Sequence, residues 1–186
     1  MNTATQVPLD DYGVVTAPDT VRIERLLPGP IQRVWDYLTE SELRGKWFAS
    51  GELDARVGGR IELVFNNSAL TENDAPPPPK YAQYAGEARM EGRITEFDPP
   101  RVLAYTWGES PMADSHVRFE LSAQGEQVRL TVTHTRLPSR EQMLSVAAGW
   151  HTHLDILRAQ LAGRTPEGFW RMHTRMEGEY ARRIPG

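Results

Sequence analysis

The stretch SREQMLSVAAGWHTHLDILRAQL, Ser139 to Leu161, constrains the fold of this chain more than any other. Met143, Val146, Trp150, Leu154, Leu157 and Leu161 recur at spacings of three and four, which draws one apolar stripe down an α-helix. Ser139 behind Pro138 supplies an N-cap, Glu141 and Gln142 make a polar first turn, and Gly163 ends the helix. At about 1.5 Å per residue such a rod crosses a whole small domain. It needs a broad apolar partner. Its back carries Ser145, Ala148, Gly149, Thr152, Ile156 and Ala159, a small and partly apolar face suited to a second helix or another protomer.

The residues upstream supply strands. Thr20–Leu27 alternates Val21 and Ile23 with Arg22 and Glu24, as a half-buried strand does. Pro30 opens a helix whose buried face is Ile31, Val34, Trp35 and Leu38, and a short helical turn follows over Glu42–Trp47. Further strands are predicted at Gly51–Leu53, Arg60–Phe65, Ala85–Phe97, Arg101–Trp107, Ser115–Leu121 and Gln127–Thr135. In Ala85–Phe97, Glu87, Arg89, Glu91 and Arg93 share a solvated outer face. The expected architecture is α+β: an antiparallel sheet of about seven strands, two short early helices and the long late helix. Residues 1–19 read as a loosely attached arm, and 20–163 as the domain. Residues 66–80 break its pattern with four consecutive prolines, which cannot sit in a sheet ladder and suggest a flap. In 164–186 the spacing of Phe169, Met172, Met176, Tyr180 and Ile184 predicts a second C-terminal helix from Thr165 onward, folded onto the long helix or shared in a homodimer.

Composition excludes several classes of chemistry. With no cysteine there is no disulfide, thiolate nucleophile or iron–sulfur cluster. A net charge of −4 with interspersed signs gives no basic field for nucleic acid. No apolar run approaches the roughly 20 residues of a membrane span, and the N-terminus lacks a signal-peptide pattern, so the expectation is a cytoplasmic protein. No phosphate loop, nucleophile elbow or dinucleotide fingerprint is present, and neither metal nor cofactor is expected.

His151 and His153, two apart on a helix, project in nearly opposite directions and read as surface residues rather than a metal pair. His134 differs, because it continues the inward register of Val128, Leu130 and Val132 and must find a hydrogen-bond partner inside. Phe65, Tyr105, Trp107, Phe119, Met143 and Trp150 are either plain core or the walls of a largely apolar pocket, with His134 as its polar contact and His153 at its edge.

The segments VWDYLTESELRGKWF (Val34–Phe48), Gly58–Gly59–Arg60, GRITEFDPPRVLAYTW (Gly92–Trp107), VRLTVTHT (Val128–Thr135) and GWHTHLDIL (Gly149–Leu157) resemble the START-like, helix-grip superfamily. Within it they are most similar to single-domain proteins related to the activator of heat-shock-protein-90 ATPase, over about Thr20 to Gly163. The resemblance implies a curved sheet gripping the last long helix around an apolar cavity, in a family of lipid and small-molecule carriers, polyketide cyclases and proteins without a known ligand. The arm, the 66–80 insertion and the terminal helix depart from the family pattern, and no segment of this sequence resembles the separate N-terminal domain of the eukaryotic co-chaperone. The leading expectation is a non-enzymatic module that binds an apolar or aromatic small molecule. Two alternatives stay open: a cyclase- or hydrolase-like enzyme using His134 with Tyr105, and a co-chaperone-like adaptor acting through its surface.

Overall fold

Seven antiparallel strands form one sheet in a computed structural model that describes residues 11–108 and 114–186. In chain order they are β1 (Val14–Ala17), β2 (Thr20–Pro28), β3 (Arg60–Phe65), β4 (Ala88–Asp98), β5 (Val102–Thr106), β6 (His116–Gln124) and β7 (Gln127–Thr135). The spatial order is β1-β2-β7-β6-β5-β4-β3. Helices α1 (Ile31–Thr39) and α2 (Ser41–Arg44) follow β2, the long α3 spans Arg140–Leu161, and α4 spans Phe169–Arg183. The curved sheet wraps α3, which gives the expected α+β helix-grip architecture.

Register follows from the alternating pattern. Ile23 on β2 sits opposite Val132 on β7, and Val132 opposite Phe119 on β6, so the inward residues form continuous apolar rows under α3. Leu154 and Leu157 are fully buried against this surface. Ser139 caps α3 as expected, accepting from the Gln142 amide at 3.2 Å.

Two strand expectations need correction. Gly51–Leu53 makes only isolated bridges, Ser50 with Val64 and Leu53 with Ile61. Gly51 takes a φ of +118°, and a Cβ there would lie 2.2 Å from the Glu62 carbonyl oxygen, so the extended run is broken where two backbones nearly touch. The seventh strand comes from the arm. Val14 pairs opposite Arg22 on β2, the Gly13 amide donates to the Tyr180 hydroxyl at 2.7 Å, and the Arg183 guanidinium lies 3.5 Å from the Tyr12 ring centre. Over residues 11–19 the arm is therefore tied to the sheet and to α4 rather than loosely attached. Other boundaries move by a few residues, among them the start of β4, at Ala88, the end of β6, at Gln124, and the start of α4, at Phe169 rather than Thr165.

The terminal helix folds back within its own chain. Phe169, Trp170, His173, Met176 and Tyr180 are buried, so the apolar stripe that a dimer through the C-terminal helices would use is already covered. The 66–80 segment reaches the same place. Asp74 accepts from the Trp170 amide at 2.9 Å and the Arg171 amide at 3.3 Å, while Thr71 accepts from the Phe169 amide at 2.9 Å. A carboxylate borrowed from a distant loop thus caps α4, satisfying orphan amides and opposing the positive end of the helix dipole.

Leu157→Ala is expected to cost about 2–5 kcal/mol in denaturant unfolding. A loss below about 0.5 kcal/mol, the ordinary range of surface sites, would contradict its central position. Asp74→Ala is expected to cost about 0.5–2 kcal/mol and to weaken hydrogen-exchange protection in 169–183 before it weakens α3. Unchanged protection in α4 would refute the cap.

Candidate functional site

A cavity of about 160 Å³ opens where the sheet, α3 and α4 meet. Its sheet wall is Phe65 at the end of β3, Trp107 just beyond β5 and His134 on β7, with Ala88 and Arg89 at the start of β4. The α3 wall is Ser145, Val146, Gly149, Trp150 and His153. The far wall is Phe169, Trp170 and His173 of α4, and Phe48, Asn67 and Tyr84 complete the lining. The concavity thus has three walls, the third made by the terminal helix.

Gly149 explains why there is space at all. It lies one turn from both Val146 and His153, and a Cβ built on it would meet no atom within 4 Å. Ser145 and Gly149 belong to the cavity side of α3 rather than to its back, because the cavity extends around the helix toward α4. Rings fill the rest of the perimeter. Phe48 lies within 5.1 Å, centre to centre, of Phe65, Trp150 and His153, and Phe169 lies 5.0 Å from His153.

His134 is held from both sides. The Trp150 indole N–H, which can only donate, points at Nδ1 at 3.1 Å, so Nδ1 carries the lone pair. The proton of the neutral ring then sits on Nε2 and is donated to Ser115 Oγ at 2.9 Å. Burial, with His116 nearby, pushes its pKa down to about 3. His153 shows the reverse tautomer. Its Nδ1 lies 2.8 Å from the Trp47 carbonyl oxygen, which can only accept, so Nε2 is left as an acceptor. Burial, with His173 also contributing, lowers its pKa to about 4 against the raising effect of that bond. His173 is likewise lowered to about 4, by burial and by Lys80, with Glu177 opposing.

Three of the lining residues each carry a polar atom that is sealed from solvent and has no hydrogen-bond partner among the described residues: Trp107 Nε1, Asn67 Oδ1 and His173 Nδ1. Arg25 Nη2 and Arg129 Nε share that condition away from the cavity. Among the described residues no group of His, Asp and Glu could hold a metal, and no described helix is long and apolar enough to cross a membrane.

Of the residues expected at the site, Phe65, Trp107, His134, Trp150 and His153 come together on the wall. Tyr105, Phe119 and Met143 do not line it. Phe119 packs edge-on behind the Trp150 ring at 5.5 Å and Tyr105 lies 5.8 Å from Phe119, so both belong to the core. Met143 is buried away from the cavity. His151 and His153, expected at the surface, are both buried because α3 is covered on two sides. Besides Ala88, Arg89, Ser145, Val146 and Gly149, the lining residues that sequence reasoning missed are Phe48, Asn67, Tyr84, Phe169, Trp170 and His173. The signal for the α4 set was present, since Phe169 and His173 are four apart on an amphipathic helix.

The neutral histidines predict an acid-labile fold. Against an ordinary 6.5, His134, His153 and His173 stay unprotonated in the fold down to about 3, 4 and 4. The unfolded chain takes up their protons as pH falls below about 6.5, so it binds more protons than the fold across that window. Stability is therefore full above about pH 6.5 and declines on acidification toward about 4, by up to roughly 1.4 kcal/mol per pH unit for each histidine. Ordinary carboxylates barely titrate between about pH 5 and 6.5, so unfolding midpoints measured there report the histidines. The decline should become shallower in His173→Phe. A flat wild-type profile would contradict the burial of these rings.

The family described as Activator of Hsp90 ATPase homolog 1-like protein matches residues 28–162. A Bordetella parapertussis protein solved by NMR is 46% identical, covers 95% of this chain and 92% of its own, and superposes with a TM-score of 0.79. CalU16 of Micromonospora echinospora is similar in fold, at 23% identity, coverage of 90% and 89%, and a TM-score of 0.66. The Aha1 dimer of Colwellia psychrerythraea is similar at 16% identity, coverage of 76% and 95%, and a TM-score of 0.58. None of the curated proteins matches the sequence. The matched region spans β7 and α3, the elements that grip the core, and this chain belongs to the Activator of Hsp90 ATPase homolog 1-like family.

Proposed function

We propose that this protein binds an apolar or aromatic small molecule in the cavity between sheet, α3 and α4. The observation that carries the reading is the ring-lined space opened by Gly149. A mostly apolar concavity with a few placed polar groups is the usual form of a small-molecule site. An apolar cavity of about 150 Å³ is enough to take up benzene, so about 160 Å³ suits a single aromatic ring. Membership of a family whose members commonly bind hydrophobic ligands points the same way.

The enzymatic alternative has less behind it. A general base needs a free lone pair within reach of substrate and a pKa near the working pH. Both nitrogens of His134 are engaged, its pKa is held at about 3, and Tyr105 lies off the wall with its hydroxyl pushed up by complete burial. No described feature favours the surface-adaptor alternative.

Gly149→Leu tests the reading. The new side chain would occupy the cavity, while removing a mid-helix glycine favours α3 by roughly 0.5–1 kcal/mol. Toluene should give saturation-transfer NMR signals with the wild type and none with Gly149→Leu, whose thermal midpoint should be unchanged or higher. Native mass spectrometry of freshly purified protein should likewise lose any co-purifying compound in the variant. Equal toluene binding by both proteins would reject the cavity as the site.

A further inference from the structure

The cavity has a neighbour along the seam between α3 and α4. A pocket of about 270 Å³ lies between Glu141, Gln142 and Leu144 of α3 and Glu177 and Ala181 of α4, with Lys80 at its side. Ser145 lines both spaces. Ser145 and Gly149 are four apart on α3, as His173 and Glu177 are on α4, so the two spaces occupy successive turns of one groove. Tyr81 stands where they would join. It belongs to a short 3-10 helix, Pro79–Tyr84, that crosses both, since Tyr84 lines the cavity and Tyr81 the outer pocket. The Tyr81 ring stacks on Trp170 at 5.8 Å and meets His173 edge-on at 5.2 Å, two residues of the cavity wall.

Polar contacts fasten that ring to both banks of the groove. Its hydroxyl donates to the Glu177 carboxylate of α4, which leaves Ser145 of α3 as the donor in a longer contact of 3.4 Å. Lys80 pairs with the same carboxylate at 2.6 Å. Swinging the ring aside would forfeit a charge-assisted hydrogen bond and an aromatic stack together. Resting on the reading of the cavity as an aromatic-ligand site, we infer that Tyr81 is its specificity-determining partition, confining the occupant to a single ring with a short substituent and excluding compounds whose chain would run on between α3 and α4. The cavity walls select an apolar ring, and Tyr81 sets its length. The partition is carried by the irregular connection between β3 and β4, outside the sheet and the helices that enclose the cavity.

The test compares toluene with butylbenzene on the full-length protein, affinities being read by NMR titration. Each buried methylene ordinarily tightens binding about fourfold, so three that enter the groove would tighten it roughly sixtyfold. In the wild type a chain halted at Tyr81 buries little further surface, and butylbenzene should bind within about threefold of toluene. In Tyr81→Ala the butylbenzene-to-toluene affinity ratio should rise by at least about tenfold. Intermolecular NOEs from the butyl chain to the Leu144 and Ala181 methyl groups should appear in that variant and not in the wild type. Tyr81→Phe, which keeps the ring, should retain the wild-type ratio. Toluene binding verifies that each variant's cavity is intact, and Tyr81→Leu, which shortens the side chain but keeps apolar bulk against Trp170, serves if Tyr81→Ala unfolds. A wild-type ratio approaching the full chain's gain, or a ratio unchanged in the folded Ala or Leu variant, overturns the partition and leaves the cavity reading standing. If toluene does not bind the wild type, the cavity reading falls and the partition with it.

Discussion

Helix α3 is buried on nearly every side, and most of the structure follows from covering it. The sheet takes one face through Val146, Trp150, Leu154 and Leu157, leaving a second face that water would otherwise reach. Three consecutive buried residues show how each direction is satisfied. His151 meets the Tyr180 hydroxyl of α4 at 2.8 Å, Thr152 returns its hydroxyl proton to the Ala148 carbonyl, and His153 donates to Trp47. A helix hydrophobic on one stripe alone would not need α4. This one does, since an uncovered back would expose Ile156 and Ala159 and strand the polar atoms of His151.

Charge is handled by the same enclosure. Arg25 on β2 is fully buried, with its Nε 3.1 Å from Asp155 of α3, and Asp155 also holds Arg158 at 3.0 Å. Arg158 in turn binds Asp11 at 2.9 Å, so one chain of alternating charges ties the N-terminal segment, the sheet and the helix together. A buried pair contributes little net stability over an apolar replacement, but losing one partner leaves an unneutralised charge inside. The cluster therefore acts more as a specification of the arrangement than as its source of energy.

What the sequence made legible was periodic. The stripe of α3, the alternation of β4 and the inward register of His134 depend on neighbours a few positions away, and all three are present as read. What it hid was non-local. Val14 and Val15 lie on an exposed edge strand whose pattern is two residues of hydrophobicity in a polar arm, too little to mark a strand. Gly149 looked like a small residue on a packing face, because only the position of α4 shows that its missing side chain leaves a hollow. Asp74 was one acid in a proline-rich loop. Its role as the cap of a helix almost a hundred residues later needs both segments in space. Three of the eight residues expected on the wall proved to stand behind it, since side-chain depth is not encoded in the twofold alternation of a strand or in the stripe of a helix.

The Asp74 cap has a consequence for the order in which the protein takes shape. Every other wall of the cavity precedes α4 in the chain, so during synthesis from the N-terminus the sheet and α3 are available before their cover exists. Until Phe169, Trp170 and His173 arrive, the hollow beside Gly149 lacks its far wall. The cover then docks on a loop already fixed between β3 and β4, which offers Thr71 and Asp74 to its first amides. The face of α3 beside Gly149 thus stays open to solvent until the final helix folds against it.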